Sequence, residues 1–139
     1  AQVGIRESRR VHGQYTLTEQ DVLQTRQFDD VVAQAHYMID IHDPTGNGTH
    51  IRRLRKGTSY DIPYRCMLPK QVENLLVTGR CISSTHEAFS SLRVMSISIA
   101  LGEAAGVAGA MAAAGHISPS EVNVAQLQDE LMRHGAILQ

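Results

Sequence analysis

Asn74-Leu75-Leu76-Val77-Thr78-Gly79-Arg80-Cys81, continuing as ISSTHEAFSSLRVMSISIALGEAAGVAGA to Ala110, is the stretch on which the fold turns. Leu75-Leu76-Val77 is a short apolar run of the buried-strand type, closed by Gly79 and followed by a loop rich in Ser and Thr. From about Val94 to Ala114 the pattern predicts a helix with little side-chain bulk, because Ala100, Gly102, Ala104, Ala105, Gly106, Ala108, Gly109 and Ala112 all fall inside it. An interior glycine costs a helix about 0.8–1.0 kcal/mol relative to alanine, so Gly102, Gly106 and Gly109 ask for a structural reason. Close approach of the helix to a sheet or a ligand supplies one. A strand, a glycine, a polar loop and a helix N-terminus together form a recurring anion-binding arrangement, since first-turn amides are free and carry partial positive charge. That tip is expected near Ser90-Ser91-Leu92-Arg93, with Ser90 or Ser91 as the cap and Arg93 adding a full charge.

Downstream, Gly115 is expected to end the helix in a left-handed conformation, and Ser118-Pro119-Ser120-Glu121 matches a capping box with proline at the first helical position. Asn123 caps a last helix in which Val124, Leu127, Leu131 and Met132 share a face and which Gly135 stops. Upstream, Gly4 to Gln14 reads as an exposed or site-facing strand, and Thr18 opens a short helix with Asp21 in its first turn. Phe28–Ala33 and Tyr37–Ile41 read as short strands before the turn formers of residues 43–48. Arg52, Arg53, Arg55 and Lys56 read as a solvated loop or an edge strand whose charges discourage pairing. Pro63 limits Tyr60–Arg65 to an edge strand or a bend. The fold class is α+β, with mixed short strands followed by a Gly/Ala-rich helix and a C-terminal helix.

Composition narrows the function. The chain has 139 residues, 42% of them hydrophobic, which suits one domain spanning residues 1–139. Thirteen basic and 14 acidic side chains give a formal charge of −1, so no global field draws the chain to nucleic acid or an anionic membrane. The apolar runs are interrupted by Gly, Ser, Arg or Glu, and a membrane reading of the Gly/Ala helix is set aside on Glu103 and on length. Cys66 and Cys81 lack a CxxC spacing and are expected to be reduced and buried. His36, His42 and His50 have no zinc-type spacing, so no metal is expected. The opening residues read as the middle of a strand with no cap before them, which suggests a piece of a longer chain.

The residues Asn74 to Ala110 resemble the second flavin-contacting segment of a family of bacterial FAD-dependent oxidoreductases related to fumarate reductase flavoproteins. YDIPYRCMLPKQVE, the closing RHGAIL and, less closely, GIRESRRVHGQYTLTEQDVL are similar to the same family's C-terminal portion. The resemblance implies part of an FAD/NAD(P)-binding domain, with substrate-side strands over residues 1–70 and a flavin-side strand and helices over 71–139. It implies FAD as the parent's cofactor and a small-molecule substrate. It also implies that Gly79 and Arg80 pass the ribityl and pyrophosphate portion. Ser91, Leu92, Arg93 and Val94 would then present amides to the N1–C2=O edge of the ring, where charge collects on reduction.

His86, beside Glu87, and Arg93 are the catalytic candidates, His86 being either a proton relay or a solvated loop residue. Arg6, Arg9 and Arg10 either bind a carboxylate or simply charge an exposed strand. Cys81, beside the expected site, is a redox thiol or a small core residue. No GxGxxG occurs, so the ADP-binding N-terminal portion is the missing partner, and the 139 residues alone are expected to hold FAD weakly or not at all and to be inactive. Uncovered Gly/Ala and strand faces lead to an expectation of self-association. The alternative is a non-enzymatic binding or assembly domain without cofactor. The compartment is open, with cytoplasmic the expectation.

Overall fold

A computed structural model describes residues 7–43, 45 and 48–138. The fold is α+β, as its sequence pattern implies. In chain order the elements are α1 (Glu19–Leu23), β1 (Val31–Ala35), β2 (Ile39–His42), β3 (Thr49–Arg52), β4 (Tyr60–Pro63), α2 (His86–Leu92), α3 (Met95–Gly115) and α4 (Val124–Arg133). Single 3-10 turns occupy Tyr64–Cys66, Gly79–Cys81 and Pro119–Glu121.

Local chemistry sets many of these boundaries. Thr18 and Asp21 form a reciprocal capping box at α1, each side chain meeting the other residue's backbone N–H. Ser118 and Glu121 do the same around Pro119, and Asn123 Oδ1 accepts from Gln126 N at 3.1 Å to start α4. The end of α3 differs from expectation. Gly115 stays helical and His116 takes the left-handed conformation at φ 51, with its N–H returned to the Ala112 and Ala113 carbonyls. Histidine is one of the few side chains that tolerate that region.

The strands make two antiparallel pairs, β1 with β4 and β2 with β3. Ala35 lies opposite Tyr60 and Val31 opposite Pro63, with an irregularity between Val31 and Ala33. Pro63 then leads into the 3-10 turn at Tyr64, so the proline ends its strand in a bend as expected. All of β4 is buried, and Tyr60, Ile62, Cys66 and Met67 join Leu17, Leu92, Leu101, Leu127 and Leu131 in one core.

α3 packs on β1 and α4 through Ile97, Leu101, Ala104, Ala108 and Ala112, which recur at helical spacing. The alanines therefore provide the close approach, whereas a Cβ placed on Gly102, Gly106 or Gly109 would meet nothing within 4 Å. The glycine face is open. At 21 residues and a mean hydropathy of 1.5, α3 is long and apolar enough to cross a bilayer, so the length objection fails. What opposes that reading is the packed face and Glu103, which lies 3.9 Å from His134.

Two expected strands are not strands. Residues 7–12 have no regular structure, and Gly13 makes only an isolated bridge to Pro69, while Gly4 and Arg6 lie outside the described residues. Leu75–Val77 is irregular as well, with Leu75 42% exposed and Leu76 and Val77 half-buried. Asn74 at φ 55 turns the chain just before it, and among the described residues its one backbone tie is Val77 N–H to the Met67 carbonyl at 2.9 Å. An apolar run becomes a strand only where a neighbour completes its ladder, and one bond does not.

Candidate cofactor site at the start of α3

The Ser/Thr-rich stretch before α3 is not all loop. Thr85 caps a further helix, α2, by accepting from Ala88 N at 3.3 Å, and Arg93 is its C-cap. Ser90 and Ser91 therefore close α2 and do not cap α3. Ser90 Oγ donates to the Glu87 carbonyl at 2.7 Å and accepts from Asp40 N at 3.1 Å. Ser91 Oγ donates to the Tyr37 carbonyl at 2.7 Å and takes the Tyr60 hydroxyl at 2.7 Å, a buried joint tying α2 to β4 and to the link between β1 and β2. Burial raises the Tyr60 pKa and the Ser91 hydrogen bond only partly offsets it, so the phenol stays protonated.

The real cap of α3 is Val94, which has no side-chain acceptor to offer. Helix geometry leaves the amides of Met95, Ser96 and Ile97 without intrahelical acceptors at that end. They carry the positive end of the dipole of a 21-residue helix. The 3-10 turn at Gly79–Cys81 packs against α3 beside this tip. Gly79 adopts φ +66, and a Cβ there would point toward Ser98 Oγ at 3.9 Å. Arg80 Nε approaches the Arg93 carbonyl at 3.4 Å.

A cleft of about 510 Å³ opens here, lined by Gly79, Arg80, Arg93, Met95, Ser98 and Ile99. Of the residues expected to hold a cofactor, Gly79, Arg80 and Arg93 thus meet at one cleft, and Val94 sits at the helix start. Ser91 and Leu92 lie beneath it, fully buried, with the Ser91 hydroxyl already engaged. Met95 and Ile99, at 78% and 71% exposure, form an apolar wall that sequence reasoning missed, although their four-residue spacing beside the tip was legible.

The two catalytic candidates separate. Arg93 borders the cleft, but its guanidinium donates to the Asp40 carbonyl at 2.9 Å and lies 3.8 Å from the Asp40 carboxylate. His86 is not among the cleft residues. It pairs with Glu7 at 2.8 Å. Burial works to raise the Glu7 pKa, and the hydrogen bonds from His86 and Arg10 outweigh it and bring the carboxyl below its ordinary value. Arg10, bonded to Glu7, stacks 5.2 Å from the Phe89 ring centroid, so of the opening arginines it has a structural partner.

Cys66 is buried as expected, and burial pushes its thiol up to about 12. Cys81 is exposed, contrary to expectation, because the 3-10 turn that carries it lies on the surface. Among the described residues no three His, Cys, Asp or Glu side chains converge as a metal site requires.

The model of one family, FAD dependent oxidoreductase, matches residues 1–131. The chain belongs to that family. No curated protein and no solved structure matches it. The cleft thus combines an uncapped helix tip, the Arg80 and Arg93 side chains, a glycine at positive φ and the exposed Met95 and Ile99.

Proposed function

We propose that this chain is the C-terminal portion of a bacterial, fumarate reductase-related FAD-dependent oxidoreductase, and that it supplies the flavin-ring side of the cofactor site. The cleft at the start of α3 carries this reading, because it gathers Gly79, Arg80 and Arg93 around the one long helix tip that lacks a side-chain cap. Gly79 and Arg80 would pass the ribityl and pyrophosphate portion of FAD, and Val94 with the first-turn amides of α3 would meet the ring edge. Bound there, FAD would supply hydride or electron transfer to or from a small-molecule substrate. The chain's own contribution would be a fixed positive field at that edge, which favours the reduced cofactor, and exposed apolar side chains at Met95 and Ile99 for the ring to cover.

Ser91 and Leu92 act from beneath. Ser91 pins the end of α2 to Tyr37 and Tyr60 and so fixes where α3 begins, while Leu92 fills the core under the tip. Of the two catalytic candidates, Arg93 borders the cleft and His86 does not. The ADP end of FAD would be held by an N-terminal portion with its own Gly-rich loop, and the chain by itself would bind FAD weakly and turn over nothing.

Titrating the purified chain with FMN, FAD and ADP, read by flavin fluorescence or calorimetry, tests this. FMN and FAD should bind with similar, weak affinity, ADP should not compete, and Arg80→Ala should weaken both flavins about tenfold by removing a charge-assisted contact. Competition by ADP, or flavin binding unchanged in Arg80→Ala, would remove the basis of the assignment.

A further inference from the structure

We propose that the open edge of β3, with the basic run that follows it, is a docking surface for an extended acidic segment of another protein. β2 is covered on one side by α2, and β3 lies outside it with all four residues, Thr49 to Arg52, exposed. Among the described residues no strand pairs with the outer edge of β3. That edge presents backbone donors and acceptors in the spacing of a strand, which is what an added strand recognises.

Charge selects the occupant. Arg52 is neutralised by Glu19 at 2.8 Å, whereas Arg53, Arg55 and Lys56 are exposed and make no ion pair among the described residues. Take those three cations away from the formal charge of −1 and the rest of the chain carries −4, so positive charge is concentrated here against the sign of the whole. A second copy docked by the same edge would bring these cations no carboxylate, since residues 49–56 carry none. An acidic strand supplies what a copy lacks.

Shape favours a peptide over a nucleic acid. A hollow of about 430 Å³ on one side of the hairpin is lined by Ile39, Ile41 and Ile51 with His50, Arg52 and Glu19. A second, of about 300 Å³, lies among His36, Tyr37, Met38, Arg53, Leu54 and Lys56. An extended peptide alternates its side chains, so one that alternates acidic and apolar residues can fill these hollows while its carboxylates meet Arg53, Arg55 and Lys56. A duplex would leave them empty. The surface stands independently of the flavin reading, although β2 connects it to the cleft through the Arg93 bond to the Asp40 carbonyl.

The probe is a synthetic peptide of alternating Glu and Val, titrated into the full chain labelled for amide NMR. Shifts should concentrate on Thr49–Lys56, the β3 amides should gain exchange protection, and Arg53→Ser/Arg55→Ser/Lys56→Ser should weaken binding about tenfold or more. These positions are exposed, and unchanged shifts elsewhere will show that the triple variant folds. Binding equal in the triple variant, shifts elsewhere than β3, no binding at low salt, or tighter binding of a duplex DNA to the same residues would each overturn the proposal.

Discussion

Gly102 and Gly106 offer a direct measure of whether the outer face of α3 is truly bare. Both are exposed positions in the middle of a helix, and a Cβ at either would meet nothing within 4 Å. Replacing each with alanine should recover the helix propensity that glycine forfeits, about 0.8–1.0 kcal/mol per site, with no steric term opposing it. The pair together should stabilise the chain by about 1.6–2 kcal/mol. Unfolding entropy near the midpoint is about 2.1 cal/mol/K per residue, or about 0.3 kcal/mol/K for this chain, so Tm should rise by about 6 °C. Thermal unfolding followed by circular dichroism, at several protein concentrations, reads this directly. A neutral or lowered Tm at high concentration would mean that the glycines already touch something, such as a second copy, and that the open-face description is wrong for the protein in solution. Should the same face be covered by the remainder of a longer parent, the added methyl groups would weaken that association while still stabilising the isolated chain.

Asp21 is buried and accepts from the Tyr15 hydroxyl at 2.9 Å, Arg26 at 3.0 Å and the Thr18 hydroxyl at 2.7 Å. Burial opposes its charge, but these bonds outweigh it and lower its pKa, so its stabilisation is fully present above the unfolded carboxyl value of about 3.9 and is lost as pH falls through the folded one. Asp21→Asn should therefore cost about 1.5–3 kcal/mol near neutral pH in urea unfolding, and much less at the acid end; an equal cost at both pH values would contradict the assignment. The thiols should differ as sharply. Cys81 should react with a disulfide reagent at once while Cys66, buried and raised to about 12, reacts only on unfolding, and two fast thiols in the native protein would show that the core around Cys66 is not closed.

What could be read from the sequence was what neighbours along the chain decide. The Thr18–Asp21 and Ser118–Glu121 boxes, the Asn123 cap and the stop at Gly135 all rest on groups within four residues of one another, and the structure has them where the pattern put them. Two of the misreadings have the opposite property. Leu75–Val77 has strand composition, but whether it becomes a strand depends on a partner that the described residues do not provide beyond Met67. Ser90 and Ser91 look like caps for α3 until Asp40, Tyr37 and Tyr60, all remote in sequence, claim their hydroxyls for the end of α2. The Thr85-His86-Glu87 signal for α2 was present and was hidden only by the Ser-rich composition around it. Gly79, Arg80 and Arg93 line one cleft because the Gly79–Cys81 turn packs against α3 and Arg93 stands at the junction of α2 and α3, placements set by packing and not by the strand expected before them.

The electrostatics of the cleft bear on which part of a cofactor it suits. A full positive charge from Arg93 is not available there: the Asp40 carboxylate lies 3.8 Å from it, and opposite charges at that range attract by about 4 kcal/mol under the effective screening of a protein surface. Arg93 is thus chiefly a clasp between β2 and the start of α3. What the cleft retains is the tip of α3, equivalent to about half a positive charge, beside an Arg80 whose Nε is turned to the Arg93 carbonyl. Under the proposal above, a ring edge that is neutral when oxidised and gains about one negative charge on reduction would draw on the tip chiefly in its reduced form.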